Sequence, residues 1–183
     1  MENKRLFIAL PIDPGITKDL VKKFSNLDLP WEKIKKIPAE QIHLTLKFLG
    51  DFNIEKIPDL LNSLEKVDIG VSDIELKINQ SQVFTPNQPK VLALSIEVNP
   101  QLQKLYNEIE QILFDDGLAH KEIRRFSGHL TLARIKQKAD FEEFQKFNDW
   151  KIIRSFSISN FEIIESELTK AGPEYTSLQS FDL

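Results

Sequence analysis

The chain has 183 residues, with 24 Lys and Arg against 28 Asp and Glu, a net charge of −4, 41% apolar residues and no cysteine. That length suits one substantial domain, the acidic balance argues against gripping a long nucleic-acid backbone, and disulfides and thiolate metal sites are excluded. No apolar run reaches membrane-spanning length, and Met1 to Arg5 lacks the apolar segment of a signal peptide, so a cytoplasmic protein without a membrane partner is expected.

In chain order, Leu6–Pro11 reads as a buried strand, and Asp13-Pro14 as the N-cap and first residue of a helix. That helix has Ile16, Leu20, Val21 and Phe24 at helical spacing. The alternating stretch Ile42–Leu46 follows, then a helix over Ile54–Val67 and a strand near Ile74–Ile78. Gln80 to Lys90, with Pro86 and Pro89, reads as a hinge or crossover. The order then repeats. A strand over Val91–Val98 leads to an Asn99-Pro100 cap and a helix with Leu102, Leu105, Ile109 and Leu113. Gly128–Leu132 alternates, Phe141–Asp149 reads as a helix and Phe161–Glu165 as a strand. Ala171 to Leu183 is expected to be a loop and a last strand.

The two halves are copies. His43-Leu44-Thr45-Leu46 recurs as His129-Leu130-Thr131-Leu132, an offset of 86 residues (129 − 43). The same offset carries Leu6–Ile12 onto Leu92–Val98, Asp13-Pro14 onto Asn99-Pro100, and 73–79 onto 159–165. Duplication accounts for all four echoes. The expected fold is therefore α+β: a single bilobal domain, 1–183, of two β-α-β lobes related by a pseudo-twofold axis. Repeat one spans about 5–80, repeat two about 90–166, and a C-terminal segment covers 167–183.

Strand alternation puts His43, Thr45 and Lys47 on one face and Leu44, Leu46 and Phe48 on the other. Likewise His129, Thr131 and Ala133 oppose Leu130 and Leu132. Each leucine face suits a core, and two His–Thr faces can converge across a cleft. Opening a cyclic phosphodiester needs a base to take a proton from water and an acid to protonate the departing ribose oxygen. Histidine, with a pKa near 6.5, serves either role, and each Thr hydroxyl can donate to a phosphate oxygen.

A lone His-x-Thr more often marks an ordinary half-buried strand, with Thr present for β propensity; the matched pair points to chemistry. Zinc would need a third ligand, and neither motif carries an HxH, an HExxH or a neighbouring carboxylate on its strand face. No metal or cofactor is expected. The third histidine, His120, has no echo and reads as surface. Six basic residues between Lys121 and Lys138, against Glu122 alone, fit an anionic small substrate, a nucleic-acid end, or merely a solvated loop.

HLTLKFLG at 43–50 and HLTLAR at 129–134 resemble the paired HxTx motifs of the 2H phosphoesterase superfamily, with RLFIALPI at 5–12, PAEQ at 38–41 and GPEYTSL at 172–178 resembling its RNA 2′,3′-cyclic phosphodiesterase branch, also called 2′-5′ RNA ligases. The resemblance covers nearly the whole chain. It implies a bilobal 2H fold with antiparallel sheets around a central cleft, and an RNA 2′,3′-cyclic 3′-phosphodiesterase leaving a 2′-phosphomonoester. The implied partner is RNA ending in a 2′,3′-cyclic phosphate, or a small cyclic nucleotide, bound by a monomer. By the same resemblance His43 is the proton donor, His129 the proton acceptor, and Thr45, Thr131 and Arg134 bind the phosphate. Arg134 is out of phase with Thr131, so it needs a bulge or strand end to join them. Gly128 stands where the family often has Pro, and the first motif has Phe48 where the second has Arg134. Phe48 is expected in the core with Leu44 and Leu46, stacking of a base being the alternative. Reverse 2′-5′ ligation, and a non-catalytic binder of RNA ends, are the competing functions.

Overall fold

Leu6 to Leu10 are buried without alternation, because the first strand, β1 (Asn3–Pro11), is an interior strand that sends Leu6, Ile8 and Leu10 into the main core and Phe7 and Ala9 into a smaller cluster on the other face. The computed structural model describes residues 2–170 and 172–183; Ala171, the start of the expected C-terminal loop, lies outside the described residues. Asp13 caps the first helix, α1 (Pro14–Ser25), its carboxylate accepting from the Gly15 and Ile16 amides, with Pro14 in the first turn. The twin cap is Asn99, which accepts from Leu102 N–H at the start of α3 (Pro100–Asp115).

The other strands are β2 (Ile34–Lys36), β3 (His43–Asn53), β4 (Ile74–Phe84), β5 (Val91–Ile96), β6 (His129–Ile135), β7 (Arg154–Ile158), β8 (Asn160–Thr169) and β9 (Gly172–Asp182). They form one antiparallel sheet in the order β7-β4-β5-β6-β3-β1-β8-β9, with β2 on β6. The halves meet at β3 and β6, through the pair Leu44↔Leu130. Buried residues of α1 and α3 (Leu20, Phe24, Leu102, Leu105, Ile109, Leu113) join Leu44, Leu46, Leu130 and Leu132 in one core. The chain thus has the mixed α/β fold of two related halves expected of it.

The sheet order is symmetric about the β3/β6 junction, with a twist that sequence spacing does not convey. The last strand of each repeat, β4 or its twin β8, pairs with the first strand of the other repeat, β5 or β1. Each half of the sheet is therefore built from both repeats.

Several boundaries differ from expectation. Pro58, lacking an N–H, fits only the first turn of a helix, so α2 runs Ile57–Leu64 after a 3₁₀ turn over Ile54–Lys56. Phe141–Asp149 divides into a 3₁₀ turn (Phe141–Phe144), closed by an Asp140/Glu143 capping box, and a single-turn α4 (Gln145–Asn148). The expected hinge shrinks to a short loop after Phe84, because β4 continues through Gln80–Phe84 to pair with β5. The C-terminal stretch is already strand at Gly172. β2 and β7 were not anticipated.

Candidate functional site

The two His-x-Thr strands carry matching irregularities. Ile8 pairs with Lys47 but Ala9 with Thr45, leaving Leu46 as an extra residue in β3. Leu92 pairs with Ala133 but Ala93 with Thr131, leaving Leu132 extra in β6. Each bulge inserts one residue and so inverts the alternation beyond it. Lys47 and Ala133, expected beside the threonines, are buried on the core side. Phe48, expected in the core, is 72% exposed and lines the cleft. Arg134 is carried into the cleft by the bulge that its phase required.

His43, Thr45, His129, Thr131 and Arg134 all line one cleft of about 610 Å³. His43 Nδ1 lies 2.8 Å from the Gln41 carbonyl, and His129 Nδ1 lies 3.1 Å from that of Ser127. A carbonyl only accepts, so each Nδ1 carries the proton and each neutral ring keeps a bare Nε2. Gln41 and Ser127 are themselves twins at the 86-residue offset (127 − 41). Phe7 stacks on His43 at 4.8 Å between centroids, Tyr175 meets its edge at 5.4 Å, and Phe84 lies 5.0 Å from His129. Burial pushes the His43 pKa below its ordinary value; the Gln41 carbonyl opposes this, and nearby His129 adds a smaller push downward. Among the described residues neither threonine hydroxyl has a protein hydrogen-bond partner, so both are free to donate into the cleft.

Other lining residues escaped the sequence reading. Arg5 and Phe7 come from β1, where a continuous apolar run hid their period-2 spacing. Val91, the twin of Arg5 (5 + 86), also lines the cleft. Leu168, Pro173 and Tyr175 come from the β8–β9 hairpin, which Gln41 ties down by donating from Nε2 to the Pro173 carbonyl at 3.0 Å. Tyr175 and Pro173 belong to the GPEYTSL stretch. Of the six basic residues between Lys121 and Lys138 only Arg134 reaches the cleft; Arg124 pairs with Glu122, and Lys121 donates to Gln111. His120 is exposed, as expected of a surface residue. No cluster of three or more His, Cys, Asp or Glu suited to a metal occurs among the described residues, and no helix among them is long and apolar enough to cross a membrane.

The LigT-like phosphoesterase family profile matches residues 10–93. The RNA 2′,3′-cyclic phosphodiesterase of Methanocaldococcus jannaschii is 28% identical over 97% of this chain and 99% of its own length. That of Archaeoglobus fulgidus is 25% identical with the same coverage. The crystal structure of E. coli LigT complexed with 3′-AMP superposes with a TM-score of 0.79 at 21% identity, covering 100% of this chain and 99% of the other. At that identity the superposition speaks to the fold, which the two proteins share.

Proposed function

We propose, from its likeness to the LigT-like phosphoesterase profile and to RNA 2′,3′-cyclic phosphodiesterases, that the chain is a phosphoesterase of the 2H type that hydrolyses 2′,3′-cyclic phosphate ends of RNA in the cytoplasm to 2′-phosphomonoesters, without a metal. The observation that carries this reading is the matched pair of imidazoles. Each is fixed through Nδ1–H by the carbonyl two residues upstream, and each leaves Nε2 for proton transfer in the same cleft.

With the cyclic phosphate seated between the rings, His129 Nε2 accepts a proton from water as the oxygen attacks phosphorus. The P–O3′ bond breaks, and His43 Nε2–H protonates the departing 3′-oxygen, leaving a 3′-hydroxyl and a 2′-phosphate. Thr45 and Thr131 donate to the non-bridging oxygens, whose charge grows in the transition state. Arg134 adds positive charge at the rim. Phe48, turned into the cleft, offers a face on which a base can stack. The lowered pKa of His43 suits an acid that must release its proton, and the bound phosphate anion favours the imidazolium that step requires.

A simple binder of RNA ends would have no use for two equivalent proton carriers. The test is incubation of an RNA oligonucleotide bearing a 2′,3′-cyclic phosphate with the protein in EDTA, followed by separation of 2′- and 3′-phosphate products. A 2′-phosphate is expected. Binding without turnover, or a 3′-phosphate, would refute the proposal, and adding an RNA with a 5′-hydroxyl measures the reverse, 2′-5′ ligating direction in the same tube.

A further inference from the structure

Among the described residues, one buried ion pair, joining β3 to α3, takes no part in the chemistry above. Lys47 Nζ contacts Glu110 Oε1, with side chains only 7% and 8% exposed. Lys47 also donates to the His120 carbonyl at 2.8 Å, and Glu110 Oε2 accepts from the Glu122 amide at 2.9 Å. Removing two charges from water is costly, and a well-packed apolar pair is often as stable or more so. The duplication supplies that comparison inside the same molecule. At the 86-residue offset Lys47 corresponds to Ala133 and Glu110 to Phe24 (110 − 86), both apolar and fully buried. The fold thus accommodates an apolar pair at this position.

What differs is the segment the pair holds. His120 to Glu122 corresponds to Ile34 to Lys36, which is β2, held on β6 by the backbone pairs Ile34↔Ile135, Lys35↔Arg134 and Lys36↔Ala133. In the second repeat residues 120–122 form no strand, and Lys47 and Glu110 grip the backbone there instead. The segment then runs through Phe126, stacked on Tyr106 at 4.4 Å, to Ser127, whose carbonyl orients His129. That orienting bond, at 3.1 Å, is longer than its 2.8 Å twin at His43 and lies in an exposed setting.

We propose that Lys47 and Glu110 are positioning residues for His129: the ion pair replaces a missing strand, tethering 118–127 so that Ser127 holds the imidazole for proton transfer. The inference rests on the proposed hydrolysis for its kinetic consequence and on geometry alone for its structural one.

The test is the double variant K47M/E110L, which imitates the apolar twin site. Its urea midpoint is expected at or above wild type, while amide exchange over 119–127 quickens. Its kcat on a 2′,3′-cyclic nucleotide falls about tenfold or more, the scale of a misplaced catalytic group, with KM within about twofold. Unchanged exchange over 119–127, or quickened exchange with wild-type kcat, would overturn the proposal. Should the double variant fail to fold, E110Q decides: faster exchange at 119–122 with reduced kcat supports the tether, and wild-type behaviour in both contradicts it. A wild-type protein without turnover would defeat the hydrolysis reading, while exchange would still judge the tether.

Discussion

Replacing Phe7 by alanine isolates the physical cause that sets His43 apart from an ordinary histidine. Phe7 is 3% exposed and stacks on the His43 ring. It belongs to a small buried cluster with Ala9 and Ile164, packed against Tyr175 and bordering the cleft. A buried Phe→Ala change costs about 3–5 kcal/mol. The low end, about 3 kcal/mol, applies here because the new cavity opens onto the cleft and water can enter it. The same water solvates His43. Since burial is the first cause of its lowered pKa, the variant's His43 titrates closer to 6.5. The linkage sign follows. A histidine whose folded pKa is depressed leaves the unfolded chain holding more protons between that value and about 6.5, so stability rises with pH through this window and is lost as pH falls through it. Phe7→Ala narrows the window. Urea unfolding at pH 8 and NMR titration of the His43 ring read the two effects. A variant that loses stability while His43 titrates as in wild type, or lower, would refute burial as the cause.

Thr45→Ala and Thr131→Ala should each weaken transition-state binding by about 1.5–3 kcal/mol, the scale of a hydrogen bond to a charged group, read as lower kcat/KM with unchanged urea midpoints. Deleting Leu132 makes the ladder regular and leaves Ala133 as the single core residue between Thr131 and Arg134, so Arg134 should stay in the cleft and KM for a cyclic nucleotide should change little; a crystal structure of the variant with Arg134 turned out of the cleft would contradict the phase argument. The exchange of β4 and β8 between halves leads us to propose that 1–183 unfolds as a single domain. Trp31 and Trp150, one from each repeat and both against Phe24, should report one urea transition coincident with circular dichroism, and two separated transitions would argue against it.

The parts of this molecule governed by local chemistry were legible beforehand. Asp13-Pro14 and Asn99-Pro100 cap the helices they announce, and the spaced apolar residues of both helices pack into the core. The histidines and threonines that line the cleft stand out in the sequence because duplication marks them twice. Phe48 and Lys47 were misassigned because an extra residue in a ladder exists only relative to its partner strand, and HLTLKF carries no local mark of it. Arg134 showed the conflict, being out of phase with a threonine that it had to accompany. Tyr175 and Leu168 were invisible as site residues because the β8–β9 hairpin reaches the cleft only through pairing of β8 with β1, about 150 residues away in the chain. The Lys47–Glu110 contact is non-local in the same way, joining residues 63 apart.

The claim on which the account stands is that the two Nε2 atoms act on one phosphorus as a single acid–base unit. The direct measurement is metal-free kcat for His43→Ala, His129→Ala and the double variant on a 2′,3′-cyclic nucleotide. Each single change should cost about a hundredfold or more, and the double should fall little below the worse single, as groups acting together do. Either single variant turning over at the wild-type rate, or losses that multiply in the double, would contradict it.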